Sequence, residues 1–356
     1  MSRPLTATIR LDHLRANYQL ARRLHGGRVL ATVKANAYGH GAVAVARALA
    51  DQTDGFAVAC IEEALTLREA GITQPILLLE GWFEPAELEL IVQHQLWTAL
   101  HCPEQLAQLE QAKLAAPLPS VWLKFDSGMH RLGLPLGQAH EIHRRVCASG
   151  KVESVVLATH FARADELDCP STTEQIERFR AAVAGLPCPL SLANSGGVLG
   201  WQAARGDWAR PGIMLYGGAS LDRMPAEPPL PVMQLDSKLI AVQSLSAGEA
   251  VGYGARFVTE RASRIGLVAC GYADGYPRAA KTGTPVLIDG RRSRVVGRVS
   301  MDMLAVDLEH FPEAGVGTPV RLWGEGLPAD EVAQAAGTIS YELFCNVKRA
   351  HFRYVG

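Results

Sequence analysis

Eight short, nearly all-apolar runs, each followed by a stretch with helical spacing, fill the chain up to about residue 220. They are RVLATVK, GFAVAC, PILLLEG, LWTALH, SVWLKFD, ESVVLATH, LSLANS and WARPGIM. A strand that is apolar on both sides has to be covered on both sides, which is the condition of a parallel sheet. In the intervening stretches Ile61, Ala64 and Leu65 share a helical face, as do Leu88, Ile91 and Val92, and Leu106 and Leu109. Eight such repeats predict the α/β class and a TIM (β/α)8 barrel. An open doubly-wound sheet is the alternative, but no GxGxxG follows the first strand.

From about Pro231 the texture changes to partly alternating strands separated by glycine and proline turns: PVMQLDSKLIAVQSL, RIGLVACGY, TPVLIDGRRSRVVGRVSMDMLAVDL and TPVRLWG. A chain of 356 residues, 48% of them hydrophobic, has enough material for two cores. The expected division is a barrel over residues 1–225 and a mostly β C-terminal domain over 226–356, with LDRMPAEPPLP as linker. The first ten or so residues are expected to pack with the β domain.

A net charge of −1 gives no reason to expect nucleic acid or an anionic membrane as partner. No apolar run approaches the roughly 18 residues of a spanning helix, and MSRPLTATIRLDHLRANY reads as no export signal. The seven cysteines are scattered and never paired as CxxC, so neither a metal site nor a disulfide framework is expected. A cytoplasmic protein is the expectation.

Polar residues cluster where a barrel places chemistry. Lys34, Lys124, His160, Asn194 with Ser195, and Arg210 all fall at or near the C-terminal ends of the expected strands. Lys34 leaves its strand straight into Ala-Asn-Ala-Tyr-Gly-His-Gly. A lysine there, flanked by apolar residues, is a usable amine for a Schiff base with a carbonyl; the plainer reading is a lysine leaving for solvent. Arg210 precedes Pro211 and is biased to extended geometry, while Gly212 lets the backbone approach a ligand closely. Together with the glycines after Asn194 and Ser195, this suits a phosphate held after the seventh and eighth strands.

In order along the chain, VKANAYGHG, LKFDSGMHRLG, THFARADE, NSGG, RPGIMLYG, VGYGA, GYADGYPR and VGRVSMDM resemble the motifs of the alanine racemases over both domains. The resemblance implies pyridoxal 5'-phosphate as cofactor, held as a Schiff base on Lys34. It also implies a phosphate gripped by Tyr38, Ser195, the backbone of Gly212 and Ile213, and Tyr341, with His160 and Asn194 in the cofactor site. Arg210 would face the pyridine nitrogen, where an arginine that keeps its proton leaves that nitrogen unprotonated.

Racemisation of alanine needs a base on each face of Cα. The resemblance makes these Lys34 and Tyr253, the latter supplied by the partner in a homodimer with shared active sites. A free tyrosine phenol loses its proton only at about pH 10, and the resemblance makes His160 and Arg210 the candidates for stabilising the phenolate. Arg131 and the Met301 backbone would hold the substrate carboxylate, with Lys124, Tyr272 and Asp302 in support. Arg278 and Arg298 would also reach the partner's site. In relatives the lysine corresponding to Lys124 carries a carbamate; without it, Lys124 and Arg131 would repel unless Asp126 intervenes. Ser300 and His130 depart from the family pattern, and neither departure removes a proton-transfer group. The rival readings are a cofactor carrier, which would lack the β domain, a related-fold decarboxylase, and a broad-specificity racemase.

Overall fold

The computed structural model describes residues 3–219 and 221–356, which fall into two compact units. The first comprises Arg15–Leu215 with Leu221–Pro228; the second comprises residues 3–14, 216–219 and 229–356.

The first unit is the expected (β/α)8 barrel. Its opening strand runs in two pieces, Arg28–Val29 and Ala31–Thr32, on either side of Leu30. There follow Phe56–Val58, Ile76–Leu78, Trp97–Leu100, Ser120–Asp126, Val155–Ala158, Leu190–Ser191 and Trp208–Ala209. Each pairs in parallel with the next, and Trp208 pairs back onto Arg28, which closes the ring. The helical faces read from the sequence turn inward: Ile61, Ala64, Leu88, Ile91, Leu106 and Leu109 are buried.

Leu30, Ala57, Leu77, Trp122, Val156, Ala158 and Trp208 form one cluster, with Leu79 and Trp97 packed against it. Three indoles dominate it. Trp97 lies edge-on to Trp208 with ring centroids 5.5 Å apart, and Trp122 lies 5.7 Å from Trp208. Burying an aromatic of this size removes ~150–250 Å² from water, roughly 4–6 kcal/mol of gross transfer free energy. Successive strand residues face opposite sides, so the positions two residues after Trp122, Ala158 and Trp208 share their side. Those positions are Lys124, His160 and Arg210. A greasy floor and a polar rim are thus built from the same strands.

The second unit is mostly antiparallel. Its sheet runs in the order Ser263–Val268, Leu304–Asp307, Arg291–Val296, Pro285–Ile288, Pro319–Trp323, Met233–Leu245, Thr6–Arg10, His351–Val355. The long strand Met233–Leu245 pairs through Leu235–Lys238 with Pro319–Trp323 and through Leu239–Leu245 with Ser263–Val268. One strand thereby closes six strands into a small barrel, helped by a register shift between Leu239 and Ala241. Alternation holds along it, with Met233, Leu235, Ser237 and Leu239 buried and Lys238 and Ile240 exposed. A hairpin of Ala250–Val251 and Phe257–Val258 projects the turn Tyr253–Ala255. Two helices, Ala329–Ala336 and Ser340–Asn346, complete the unit.

Candidate active site

Lys34 follows the first barrel strand by two residues and begins a turn of the wrong hand. Ala35, Asn36, Ala37 and Tyr38 all have φ between 52° and 54°, and Gly39 and Gly41 follow at 77° and 93°. Left-handed conformation costs an L-residue roughly 1–2 kcal/mol, so four in succession persist only when held from outside. The bonds that hold the turn are specific. Its amides close on Val33, Ala35, Asn36 and Ala37 carbonyls, and the Ala42 N–H donates to Asn36 Oδ1 at 2.8 Å. The Glu63 carboxylate accepts from the N–H of Ala35 at 2.6 Å and of Ala59 at 2.8 Å. The buried His40 ring meets the Tyr38 carbonyl at 2.9 Å. The turn carries Tyr38 back, buried, towards the eighth strand.

There the Ser195 hydroxyl accepts from the N–H of Gly212 at 2.9 Å and of Met214 at 3.3 Å. Ile213, between them in the chain, opens a short 3-10 turn. A Cβ placed on Gly212 would collide with the Tyr38 hydroxyl. Hydroxyls from Tyr38 and Ser195 therefore converge with backbone donors at a spot where only glycine fits. Asn194 is set back as a cap, its Oδ1 accepting from Gly197 N–H at 2.9 Å. The donor set fits a phosphate.

Arg210 is buried, and its guanidinium is pinned on two sides. Nη1 donates to the Ser191 hydroxyl and Nη2 donates to the Thr159 carbonyl at 2.6 Å. Burial pushes Arg210 down to about 10, which leaves it a cation at neutral pH. Around it lies an unusual excess of positive charge. Burial, then Arg210, Arg131 and Lys34, push Lys124 down to about 8, with Glu80 acting weakly the other way. Burial and the same cations together with Lys124 hold His160 well below the usual imidazole range, so its ring is neutral. The structure thus brings Lys34, Lys124, Arg131, His160 and Arg210 within electrostatic reach of one another. Such a pocket asks for an anion.

Asp126 does not neutralise the Lys124–Arg131 pair. Its Oδ1 accepts from the N–H groups of Gly128, Met129 and His130 at 2.9, 3.0 and 3.1 Å, and its Oδ2 meets the His130 ring at 2.9 Å. Although burial opposes it, these donations hold the carboxyl below its ordinary range. The loop closes so tightly that a Cβ on Gly133 would strike the Asp126 backbone. Asp126 thus fixes the loop that carries Arg131, and His130, at φ 57°, is part of the clasp.

The remaining expected residues belong to the β unit. Tyr253 sits at the hairpin tip, 70% exposed, between Gly252 and Gly254 at φ 69° and 73°. Tyr272 and Met301 are backbone neighbours: Tyr272 N–H donates to the Ser300 carbonyl at 3.1 Å and Ala273 N–H to the Met301 carbonyl at 2.9 Å. A Cβ on Gly271 would collide with those carbonyls. Asp302 is engaged by Arg349 at 2.6 Å, and Arg349 in turn meets the buried Asp274, which also receives Arg3 at 2.7 Å. Tyr272 and Arg278 line a cavity of about 440 Å³ with Tyr276, Glu342 and Lys348. Tyr341 lies on the helix Ser340–Asn346.

Sequence reasoning passed over Glu63, Thr159 and Ser191. Thr159 and Ser191 precede the expected His160 and Asn194 by one and three residues and carried no signal of their own. Glu63 sits inside an ordinary charged helix start.

Two family models cover the chain: alanine racemase, N-terminal domain, over residues 9–220, and alanine racemase, C-terminal domain, over residues 232–355. The chain belongs to the alanine racemase family. An alanine racemase of Pseudomonas fluorescens is 58% identical over 354 residues, 99% of each chain. The crystal structure of the biosynthetic alanine racemase from Pseudomonas aeruginosa has a TM-score of 0.96 at 50% identity, covering 99% of this chain and 100% of that one. The alanine racemase of Bartonella henselae, solved with covalently bound pyridoxal phosphate, has a TM-score of 0.89 at 29% identity over 99% of both chains. Among the described residues no helix is long and apolar enough to cross a membrane, and no group of three or more His, Cys, Asp or Glu side chains could hold a metal ion.

Proposed function

We propose that this chain interconverts L-alanine and D-alanine with pyridoxal 5'-phosphate as its cofactor. The observation that carries the reading is Arg210, a buried guanidinium held by Ser191 and Thr159 on the barrel rim that also carries Lys34 and the Tyr38–Ser195–Gly212 donors. Lys34 would hold the cofactor covalently, and Tyr38, Ser195 and the backbone of Gly212 and Ile213 would hold its phosphate. Asn194 supports them by fixing the helix start beside Ser195.

When bound, the cofactor withdraws electrons from the substrate Cα and acidifies its proton. Arg210 stays a cation at neutral pH, so it would offer the ring nitrogen of the cofactor a hydrogen bond without protonating it. That arrangement suits moving one proton and disfavours longer-lived side reactions. Lys34, its amine freed when the substrate's amine takes its place on the cofactor, would take or deliver the proton on one face of Cα. Tyr253 of the partner subunit serves the other face, since one base cannot reach both without moving. His160, neutral here, would support it by a hydrogen bond and add no charge. Arg131, on the loop that Asp126 clasps, and Met301 of the partner subunit bind the substrate carboxylate.

The homodimer is supported by the β unit itself, which exposes Tyr253, Tyr272, Met301 and Met303, large apolar side chains on one unit. The cytoplasm is the compartment we assign, in keeping with seven cysteines that are scattered along the chain and never spaced as CxxC. The deciding experiment is turnover of a panel of L-amino acids by purified protein, followed by chiral chromatography. Alanine should exceed every other substrate in kcat/KM by more than about tenfold, the discrimination available from one methylene or more. Comparable turnover of long side chains would make it a broad-specificity racemase, and carbon dioxide release would make it a decarboxylase.

A further inference from the structure

We infer that Glu63 is a positioning residue for Lys34, an inference that rests on the reading of Lys34 as a proton-transfer base. Glu63 lies in the first turn of the helix Ile61–Glu69, in the βα connection that follows the next strand along from that of Lys34. Its Oε1 accepts from the Ala35 N–H at 2.6 Å and its Oε2 accepts from the Ala59 N–H at 2.8 Å. One carboxylate therefore clasps two neighbouring barrel connections, at Ala35 just after Lys34 and at Ala59 just after Phe56–Val58.

The peptide it grips is the one at which the chain leaves strand geometry. Lys34 contributes its carbonyl and Ala35 its N–H, and from Ala35 onward φ is positive through Tyr38. Asn36 secures the far end of the turn through Ala42. At the near end it is Glu63 that fixes the plane of the 34–35 peptide, and with it the direction in which the Lys34 side chain departs. A lysine stem is a lever of roughly 6 Å, so a tilt of about 10° at its base moves the amine by about 1 Å, enough to cost up to about 100-fold in rate. The same turn carries Tyr38, so Glu63 also sets the span between Lys34 and the Tyr38–Gly212 donors.

Nothing about the exposed face of a helix start requires this. A glutamate in the first turn commonly reaches back to a backbone N–H at the helix start, as Glu63 does with Ala59, one residue before the cap Cys60. What is unusual is the second oxygen reaching across to another connection.

The test compares Glu63→Gln and Glu63→Ala with the native holoenzyme. Glutamine keeps the shape but has one acceptor oxygen and an amide nitrogen that cannot accept an N–H. Three readouts are taken: hydrogen exchange at the Ala35 and Ala59 amides, kcat and KM, and primary isotope effects with α-deuterated L- and D-alanine. Both variants should expose the Ala35 amide to exchange and lose about 10- to 100-fold in kcat with KM changed less than about threefold. The isotope effect should rise for the enantiomer that Lys34 deprotonates and fall for the other, because only the Lys34 step has slowed. Isotope effects that stay as in the native enzyme, or unchanged kcat in Glu63→Gln with Ala35 exchanging faster, would overturn the inference. Should Glu63→Ala not fold, Glu63→Gln decides alone. Lys34→Ala run in parallel separates the two readings: if it keeps native turnover, Lys34 is not the base at all.

Discussion

Arg210 donates through Nη2 to the Thr159 carbonyl at 2.6 Å, so the cation at the bottom of the site is tied to the residue immediately before His160. Two functional side chains thus share one support. Arg210→Lys keeps the charge but loses the fork that serves Ser191 and Thr159 together. The variant should lose about 1–3 kcal/mol of stability from the orphaned buried acceptor, measured by denaturant titration. Its kcat should fall by at least about tenfold, while Lys at a remote exposed arginine leaves both unchanged.

Lys124 makes a pH prediction whose sign is fixed. Its folded value of about 8 lies below the 10.5 ordinary for a lysine, so between those limits the unfolded chain binds a proton that the folded chain does not. Stability should therefore rise as pH rises through that window, and the strain of the buried charge is fully present below it. Lys124→Met should remove this slope and stabilise the cofactor-free protein at pH 7, by up to the order of 3 kcal/mol. Thermal melts of both proteins across pH 7–10 check it; parallel curves would show that the charge is relieved in another way, as by a carbamate.

Gly212→Ala places a methyl group against the Tyr38 hydroxyl. Cofactor affinity should drop at least about tenfold, read by equilibrium dialysis, and the overpacking should also cost about 1–3 kcal/mol of stability. Tyr38→Phe should cost less affinity in the Gly212→Ala background than in the native protein, because the methyl group already displaces the hydroxyl that it removes. A double variant weaker than the sum of the singles would place the phosphate elsewhere.

Lys34→Ala should lose the borohydride-reducible link to the cofactor. Lys34→Ala and Tyr253→Phe should each be nearly inactive alone, yet recover on mixing with subunit exchange. About half of randomly paired dimers are mixed, each with one intact site of two, so activity should approach about a quarter of native. No recovery, with exchange confirmed separately, would assign both bases to one chain.

Much of the barrel was legible because its strands are buried on both faces and so spell uninterrupted apolar runs. Lys124, His160 and Arg210 were legible for a related reason: each follows the last inward apolar residue of its strand by two positions. Glu63 was not, since a bond from one βα connection to another depends on three-dimensional neighbours with no fixed spacing. The part played by Asp126 was left open for the same reason. Its proximity to Lys124 in sequence suggested a charge partner, whereas three backbone N–H groups of its own loop claim it. The left-handed turn at Ala35–Tyr38 also escaped, because alanine and asparagine carry no mark of the conformation that neighbouring bonds impose.

The packed indoles of the barrel floor give the molecule a built-in optical reporter. Trp97, Trp122 and Trp208 lie 5.5–6.2 Å apart, close enough for their excited states to couple, so near-ultraviolet circular dichroism senses whether the barrel interior is intact. Trp323 stacks on Tyr276 at 6.1 Å and is the lone indole of the β unit among six in the chain. Replacing it with phenylalanine would leave a fluorescence signal that belongs to the barrel alone. Melting of the barrel can then be followed by itself, without attaching a dye.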